Sequence, residues 1–169
     1  MKMKIGIAGS QAPELRVPYW IGPDGKKRPK LKLAELGDGY KVLFFFQHWC
    51  RGCHSEGFPV MKILVDHFRD RGVGFAVIQT VFEGSDINTP DKLVLDQTYY
   101  HLRVPFGHDI ASPGDPYPAT IEDYRTGGTP WFVTIDPHNV VLDNGFAFDF
   151  DRFVSLLNNS NPPSEAEIY

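Results

Sequence analysis

Two side chains in this sequence are spaced for redox chemistry, Cys50 and Cys53. A two-residue gap lets the second sulfur reach back and close a small disulfide with the first. That suits thiol–disulfide exchange, in which Cys50 attacks, a mixed disulfide forms and Cys53 resolves it. The pair follows the continuous apolar run Lys41-Val-Leu-Phe-Phe-Phe-Gln-His48 and precedes a helical pattern, so it sits after a buried strand at the mouth of a helix. Free amides and the helix dipole favour an anion there, with Arg51 and protonated His48 and His54 adding positive charge. Cys50 is therefore expected to be the more exposed sulfur and to titrate below the ~8.5 of a free thiol. Two alternatives stand beside this. A lone C-x-x-C is also half a metal site, and Cys50 and Cys53 with His48 or His54 make a soft-cation set, for Cu(I) as an example. Two thiols packed in a core are the plainer alternative.

The chain has 169 residues, 42% of them hydrophobic, which suits one domain with one sizeable core. We place that domain at 1–157, with an N-terminal extension over 1–40 and a polar, Pro-containing tail over 158–169. A net charge of −4 argues against a general nucleic-acid binder, and two cysteines exclude a disulfide-stapled scaffold. No apolar run approaches the ~18–20 residues of a membrane span, and no secretory h-region is visible, so the expected location is cytoplasmic.

The elements follow from periodicity. Apolar stretches at Leu15–Ile21 and Leu31–Leu36, joined by a Pro/Asp/Gly turn, predict two short strands. The basic cluster Lys26, Lys27, Arg28, Lys30 and Lys32 then forms a solvated hairpin tip. Phe58, Met61, Leu64, Val65 and Phe68 fall on one helical stripe after Cys53, with Pro59 requiring a start, bend or restart. Gly72 and Gly74 lead into a second buried strand, Phe75–Val81. Strand, helix, strand makes a βαβ unit with parallel strands. Thr89-Pro90-Asp91 carries a helix start, with Thr89 as cap and an end near Leu102. Arg103–Phe106 is short and extended, Gly107–Ala119 a long loop, Trp131–Ile135 and Val140–Leu142 a β-hairpin, and Phe150–Leu157 a last helix. His67, His101, His108 and His138 fall on surface or loop positions.

Several of these features resemble thioredoxin-fold proteins of the TlpA/ResA branch, within the wider redoxin group. They are the strand Val42–Phe46, Trp49-Cys50-x-x-Cys53, Glu56, Gly72-Val73, Gly128-Thr129-Pro130 and Trp131-Phe132-Val133-Thr134-Ile135-Asp136, with Ala12-Pro13-Glu14-Leu15 at the front. The resemblance implies an α/β thioredoxin-like fold: a central mixed sheet flanked by helices on both faces, with an N-terminal hairpin extension and an inserted helix. It implies a cis Pro130 facing the cysteines and Thr129 docking an extended substrate through its main chain. Trp49 and Trp131 are expected to frame an apolar patch around the sulfur. Glu56 is the candidate to take a proton from Cys53, a role that needs partial burial; a solvated helix carboxylate is the alternative. The chain departs from the pattern in three places. Arg51-Gly52 lies between the cysteines, Phe44 occupies the position of the thioredoxins' buried acid, and Pro59 comes one residue late, so the first helical turns are expected to bulge.

The function so implied is a thiol–disulfide oxidoreductase needing no cofactor, with a role in cell redox homeostasis. It would act on a protein or small-molecule disulfide and draw electrons from a thioredoxin or glutathione system. The second reading is a peroxiredoxin-like peroxidase with Cys50 as peroxidatic thiol; Leu43 and Gln47 stand where its signature residues belong, so the peroxide-positioning hydroxyl is missing. Metal binding is the third. Phe82-Glu83-Gly84 and Pro105–Asp109 are either a substrate rim or loop packing.

Overall fold

The computed structural model describes residues 4–160; the expected tail over 161–169 lies outside them. Seven strands form one sheet: β1 (Tyr19–Ile21), β2 (Lys27–Arg28), β3 (Lys41–Phe46), β4 (Gly74–Val81), β5 (Phe106–Ile110), β6 (Trp131–Ile135) and β7 (Val141–Gly145). Their order is β2-β1-β5-β4-β3-β6-β7. β3 and β4 are parallel, as a βαβ unit requires, and so are β4 and β5. β6 runs antiparallel to β3, making the sheet mixed.

All six residues of β3 are buried, and its alternation sorts them between two cores. Val42, Phe44 and Phe46 face α1 (Phe58–Phe68), which contributes its predicted stripe of Phe58, Met61, Leu64, Val65 and Phe68. Leu93 of α2 (Lys92–Tyr99) and Phe153 and Leu157 of α4 (Phe150–Ser160) complete that side. Leu43 and Phe45 face the other core, built from Leu15, Val17, Trp20, Leu31 and Leu33 of the extension and Tyr124 of α3 (Ala119–Tyr124). Helices thus lie on both faces, and the extension closes the second. Among the described residues no helix is long and apolar enough to cross a membrane.

Four expectations are corrected here. The hairpin partner of β1 is Lys27–Arg28, inside the basic cluster, whereas Leu33–Leu36 forms a 3₁₀ turn that buries Leu33. The supposed loop after Phe106 begins as β5, paired with both β4 and β1. His108 and Asp109 make that strand look polar, yet both are buried with partners: Gln79 Nε2 donates to His108 Nδ1 at 3.1 Å, and Asp109 Oδ2 accepts the Thr120 amide at 2.8 Å. Burial accordingly lowers the His108 pKa to about 4. Thr89 caps no amide of α2, because its hydroxyl is hydrogen-bonded to Asp91. The last helix runs to Ser160, so 158–160 are helical.

Phe44 is the hub of the first core. Its ring stacks on Phe132 at 5.0 Å and meets Phe58 edge-on at 5.2 Å. Phe44→Ala is expected to remove about 3–5 kcal/mol of stability, seen as a lower urea midpoint at unchanged m-value.

Candidate active site

The strand β3 ends at Phe46, and the turn that follows is held by buried amide side chains. The His48 amide donates to Gln79 Oε1 at 3.0 Å, and the Trp49 amide to Asn88 Oδ1 at 3.1 Å. Gln79 Nε2 is itself spent on the Thr89 carbonyl and on His108, and Asn88 Nδ2 on the Glu83 carbonyl. Gln47 accepts the Phe82 amide at 3.3 Å. Sequence pattern alone does not single out these supports. Their one signal is a lone amide in or beside an apolar run, which burial makes costly unless it is paired.

The chain then enters a π-helical turn over Cys53–Gly57, ahead of α1, where the Phe58 amide bonds the Cys53 carbonyl. Pro59 has no amide hydrogen for a regular helical bond to Ser55, and a widened turn accommodates this. The expected bulge is therefore present. It leaves Gly57 so close to Phe44 that a Cβ would sit 2.5 Å from the ring.

Both cysteines are free thiols, Cys50 half-buried and Cys53 buried. The Cys53 amide donates to Cys50 Sγ at 3.2 Å, and the Thr129 carbonyl lies 3.6 Å from the same sulfur, a contact for the protonated form. The Thr129–Pro130 bond is cis, as expected, and its loop faces the cysteines. Cys50 is lowered to about 6, chiefly by the hydrogen bond from the Cys53 thiol, helped against burial by the Thr129 side chain, the Cys53 amide and the charge of His54. The Cys53 thiol is pushed strongly up by that same hydrogen bond and by burial. Of the three expected sources of positive charge, His54 is the one that acts on Cys50, while Arg51 is exposed.

Trp49 is 44% exposed but Trp131 only 2%, so the expected pair of tryptophans does not frame the sulfur. Trp131 begins a central strand and packs inward; Phe146, half-exposed, stands edge-on to it at 5.0 Å and takes its place at the surface. A cleft of about 410 Å³ joins Cys50, Trp49, Phe82, Glu83, Thr129 and Phe146. Phe82-Glu83-Gly84 is thus a rim of the site: a Cβ on Gly84 would meet the Trp49 ring at 2.7 Å. Pro105–Asp109 is not, since it leads into β5. A larger apolar cavity of about 600 Å³ shares Phe82, Gly127 and Gly128 with the cleft and runs toward Ile121.

Glu56, within the π turn, is exposed, which fits the solvated helix carboxylate better than a buried proton acceptor. The soft-metal set is not assembled either. Among the described residues, the donor atoms grouped within 4.8 Å are those of His48, His54 and Asp96, with both sulfurs left out. These atoms serve hydrogen bonds: His48 Nδ1 donates to Asp96 at 2.8 Å, and His54 spans the His48 carbonyl and the Tyr100 hydroxyl. Leu43 and Gln47 are buried and offer no hydroxyl to a peroxide.

Parallel β3-β4 with antiparallel β6, a C-x-x-C turn at the head of α1 and a cis-Pro loop across from it define a thioredoxin-like fold. The comparisons agree. A thioredoxin-like superfamily protein of known crystal structure is 27% identical, with a TM-score of 0.77 over 91% of this chain and 97% of its own. A thiol-disulfide isomerase from Corynebacterium glutamicum is 24% identical, with a TM-score of 0.73 over 90% of this chain and 98% of that one. The thioredoxin domain of a thiol-disulfide oxidoreductase from Bacteroides vulgatus is 18% identical, with a TM-score of 0.64 over 90% and 99%. The sequence matches no protein-family model and no curated protein.

The split between the sulfurs is directly measurable. Alkylation of the reduced, folded protein should label Cys50 alone, with a rate that rises along a titration midpoint of about 6. A midpoint near the ~8.5 of a free thiol, or equal labelling of Cys53, would refute the assigned electrostatics.

Proposed function

We propose that this protein is a thiol–disulfide oxidoreductase working as a reductant. The observation that carries the reading is the divided pair: an accessible Cys50 held as thiolate, with a buried, protonated Cys53 beside it. The Cys50 thiolate attacks one sulfur of a substrate disulfide, and the other sulfur leaves as a thiolate that takes up a proton. Once Cys50 is in the mixed disulfide, the anion that raised the Cys53 thiol is gone. Cys53 then loses its proton and attacks Cys50, releasing the second substrate thiol and leaving the Cys50–Cys53 disulfide. A dithiol partner of the thioredoxin or glutathione kind returns the two electrons.

Substrate docking falls to the cleft. An extended chain lying over Thr129 and the bare backbone of Gly127-Gly128 places its disulfide at Cys50, while Trp49, Phe82 and Phe146 cover apolar side chains. The finer kinship is to the TlpA/ResA branch, supported by Trp49-Cys50-x-x-Cys53 and Gly128-Thr129-Pro130, with a proton route other than Glu56. A cytoplasmic setting fits a reductant, since thiols there are kept reduced. Peroxidase chemistry ranks lower because Leu43 and Gln47, which stand where its signature residues belong, offer no hydroxyl.

Two substitutions test the reading. Cys50→Ser should abolish reduction of a model disulfide. Cys53→Ser should keep the first attack and accumulate a mixed disulfide, seen as a reductant-sensitive mass increase. Rapid peroxide turnover that survives Cys53→Ser in added thiol would favour the peroxidase.

A further inference from the structure

Beside the redox cleft lies the apolar cavity of about 600 Å³ that runs toward Ile121, a volume in the range of sites that take a ligand. Ile5, Phe82, Tyr117 and Ile121 supply its apolar lining, and the main chain of Gly127-Gly128 is part of the wall it shares with the cleft. That wall is tied in place. The Gly6 amide donates to the Arg125 carbonyl at 2.7 Å, which holds the segment carrying Ile5 against the chain leaving α3. Ile5 is nonetheless 57% exposed and Tyr117 52%. With Trp49 and Phe146 at the cleft, four large apolar side chains left open to solvent thus gather around the joined voids. Exposed apolar surface concentrated in one place marks an interaction site.

The shared wall points to the occupant. Among the described residues, neither the amides nor the carbonyls of Gly127 and Gly128 make a hydrogen bond. Two glycines in a row present only main chain, and unpaired main chain recognises a second extended chain by strand-like pairing. A small disulfide has no matching row of amides and carbonyls. In an extended chain, residues two apart point the same way and lie about 7 Å from each other. A polypeptide on Gly127-Gly128 with its cysteine at Cys50 can therefore turn the side chain two residues along into the cavity. Charge bears on the flank. Lys4 and Arg125 line the cavity against Glu122, and among the described residues none of the three is in an ion pair. Two cations facing one carboxylate favour an acidic neighbour.

We infer that the cavity holds a large apolar side chain two residues from the reactive cysteine of a substrate polypeptide, with an acidic residue beside it. The natural substrates are then disulfides in extended segments of proteins. This rests on the dithiol function proposed above and names its substrate class.

The experiment separates docking from exchange. Short blocked peptides carry aspartate at each end, leucine or serine next inside it, and a central cysteine between alanines. With alanine in place of the cysteine they cannot react, and docking is read as slower alkylation of Cys50 in the reduced wild type. The leucine peptide should slow it and the serine peptide should not, and lysine in place of the aspartates should weaken the effect. With the cysteine joined to 2-mercaptoethanol, the leucine peptide should oxidise the reduced protein at least ~tenfold faster than the serine peptide or 2-hydroxyethyl disulfide, the scale on which an apolar pocket discriminates. Ile121→Asp and Tyr117→Ser should each shrink that ratio. Tyr117 is at the surface, so its variant carries the test if Ile121→Asp does not fold. Equal protection by the leucine and serine peptides overturns the proposal. So does a rate with 2-hydroxyethyl disulfide equal to that with the leucine peptide, or an unchanged ratio in folded Tyr117→Ser. Equal protection by aspartate-ended and lysine-ended peptides overturns the acidic flank. Protection by the leucine peptide with no oxidation by any disulfide upholds the docking site and rejects the enzymatic function.

Discussion

The chemistry of this molecule depends on the register between β3 and β6. Phe45 pairs with Trp131 in antiparallel sense, so the chain leaves β3 at the edge where it enters β6. Whatever follows Phe46 must therefore face whatever precedes Trp131. The first is the Cys50 turn and the second is Gly127-Gly128-Thr129-Pro130. A slip of one residue would turn Phe44 and Phe132 toward the opposite core and separate the two loops. The apolar ladder of β3 fixes that register, since Val42, Phe44 and Phe46 fit only the face that α1 covers. Core packing and site geometry are here the same constraint.

A second layer of order is polar and buried. Gln47, Gln79, Asn88 and Asp96 are all nearly inaccessible, and each spends its side chain on the turn that presents Cys50 or on the loop beside it. Unpaired, each would cost about 1–3 kcal/mol; paired, they specify one conformation for His48, Trp49 and the Phe82 rim. The apolar sheet alone would leave this turn free to adopt several. Such a network suits a sulfur whose reactivity depends on donors held at hydrogen-bonding distance.

The parts legible in the sequence are those governed by periodicity and by covalent spacing. The β3-α1-β4 unit, the Cys50–Cys53 pair, the bulge before Pro59 and the cis-Pro loop all follow from local pattern or resemblance. The parts that were not legible depend on partners distant in the chain. β5 is one case, because His108 and Asp109 look like loop residues until Gln79 and the Thr120 amide satisfy them. Trp131 is another: an aromatic beside a reactive cysteine suggests a docking surface, but the first residue of a central strand is drawn inward, and Phe146 arrives from β7's end to take the surface position. Glu56 is a third: how far a helix carboxylate is covered depends on what packs over it, and here it is exposed.

With Phe44 in place of an acid and stacked on Phe132, the floor beneath Cys53 is hydrocarbon, which destabilises a second anion and keeps Cys53 a thiol as long as Cys50 is charged. An acid in that floor would compete for the same proton and blur the division of labour. Removing it makes the Cys53 thiol the strongest donor available to Cys50, so the protonated sulfur stabilises the ionised one directly. The dependence is mutual: once Cys50 is bonded to a substrate sulfur, the donor hydrogen bond has no anion to receive it, and Cys53 becomes easier to ionise at the moment its attack is needed. The order of the two steps then follows from the electrostatics of the pair.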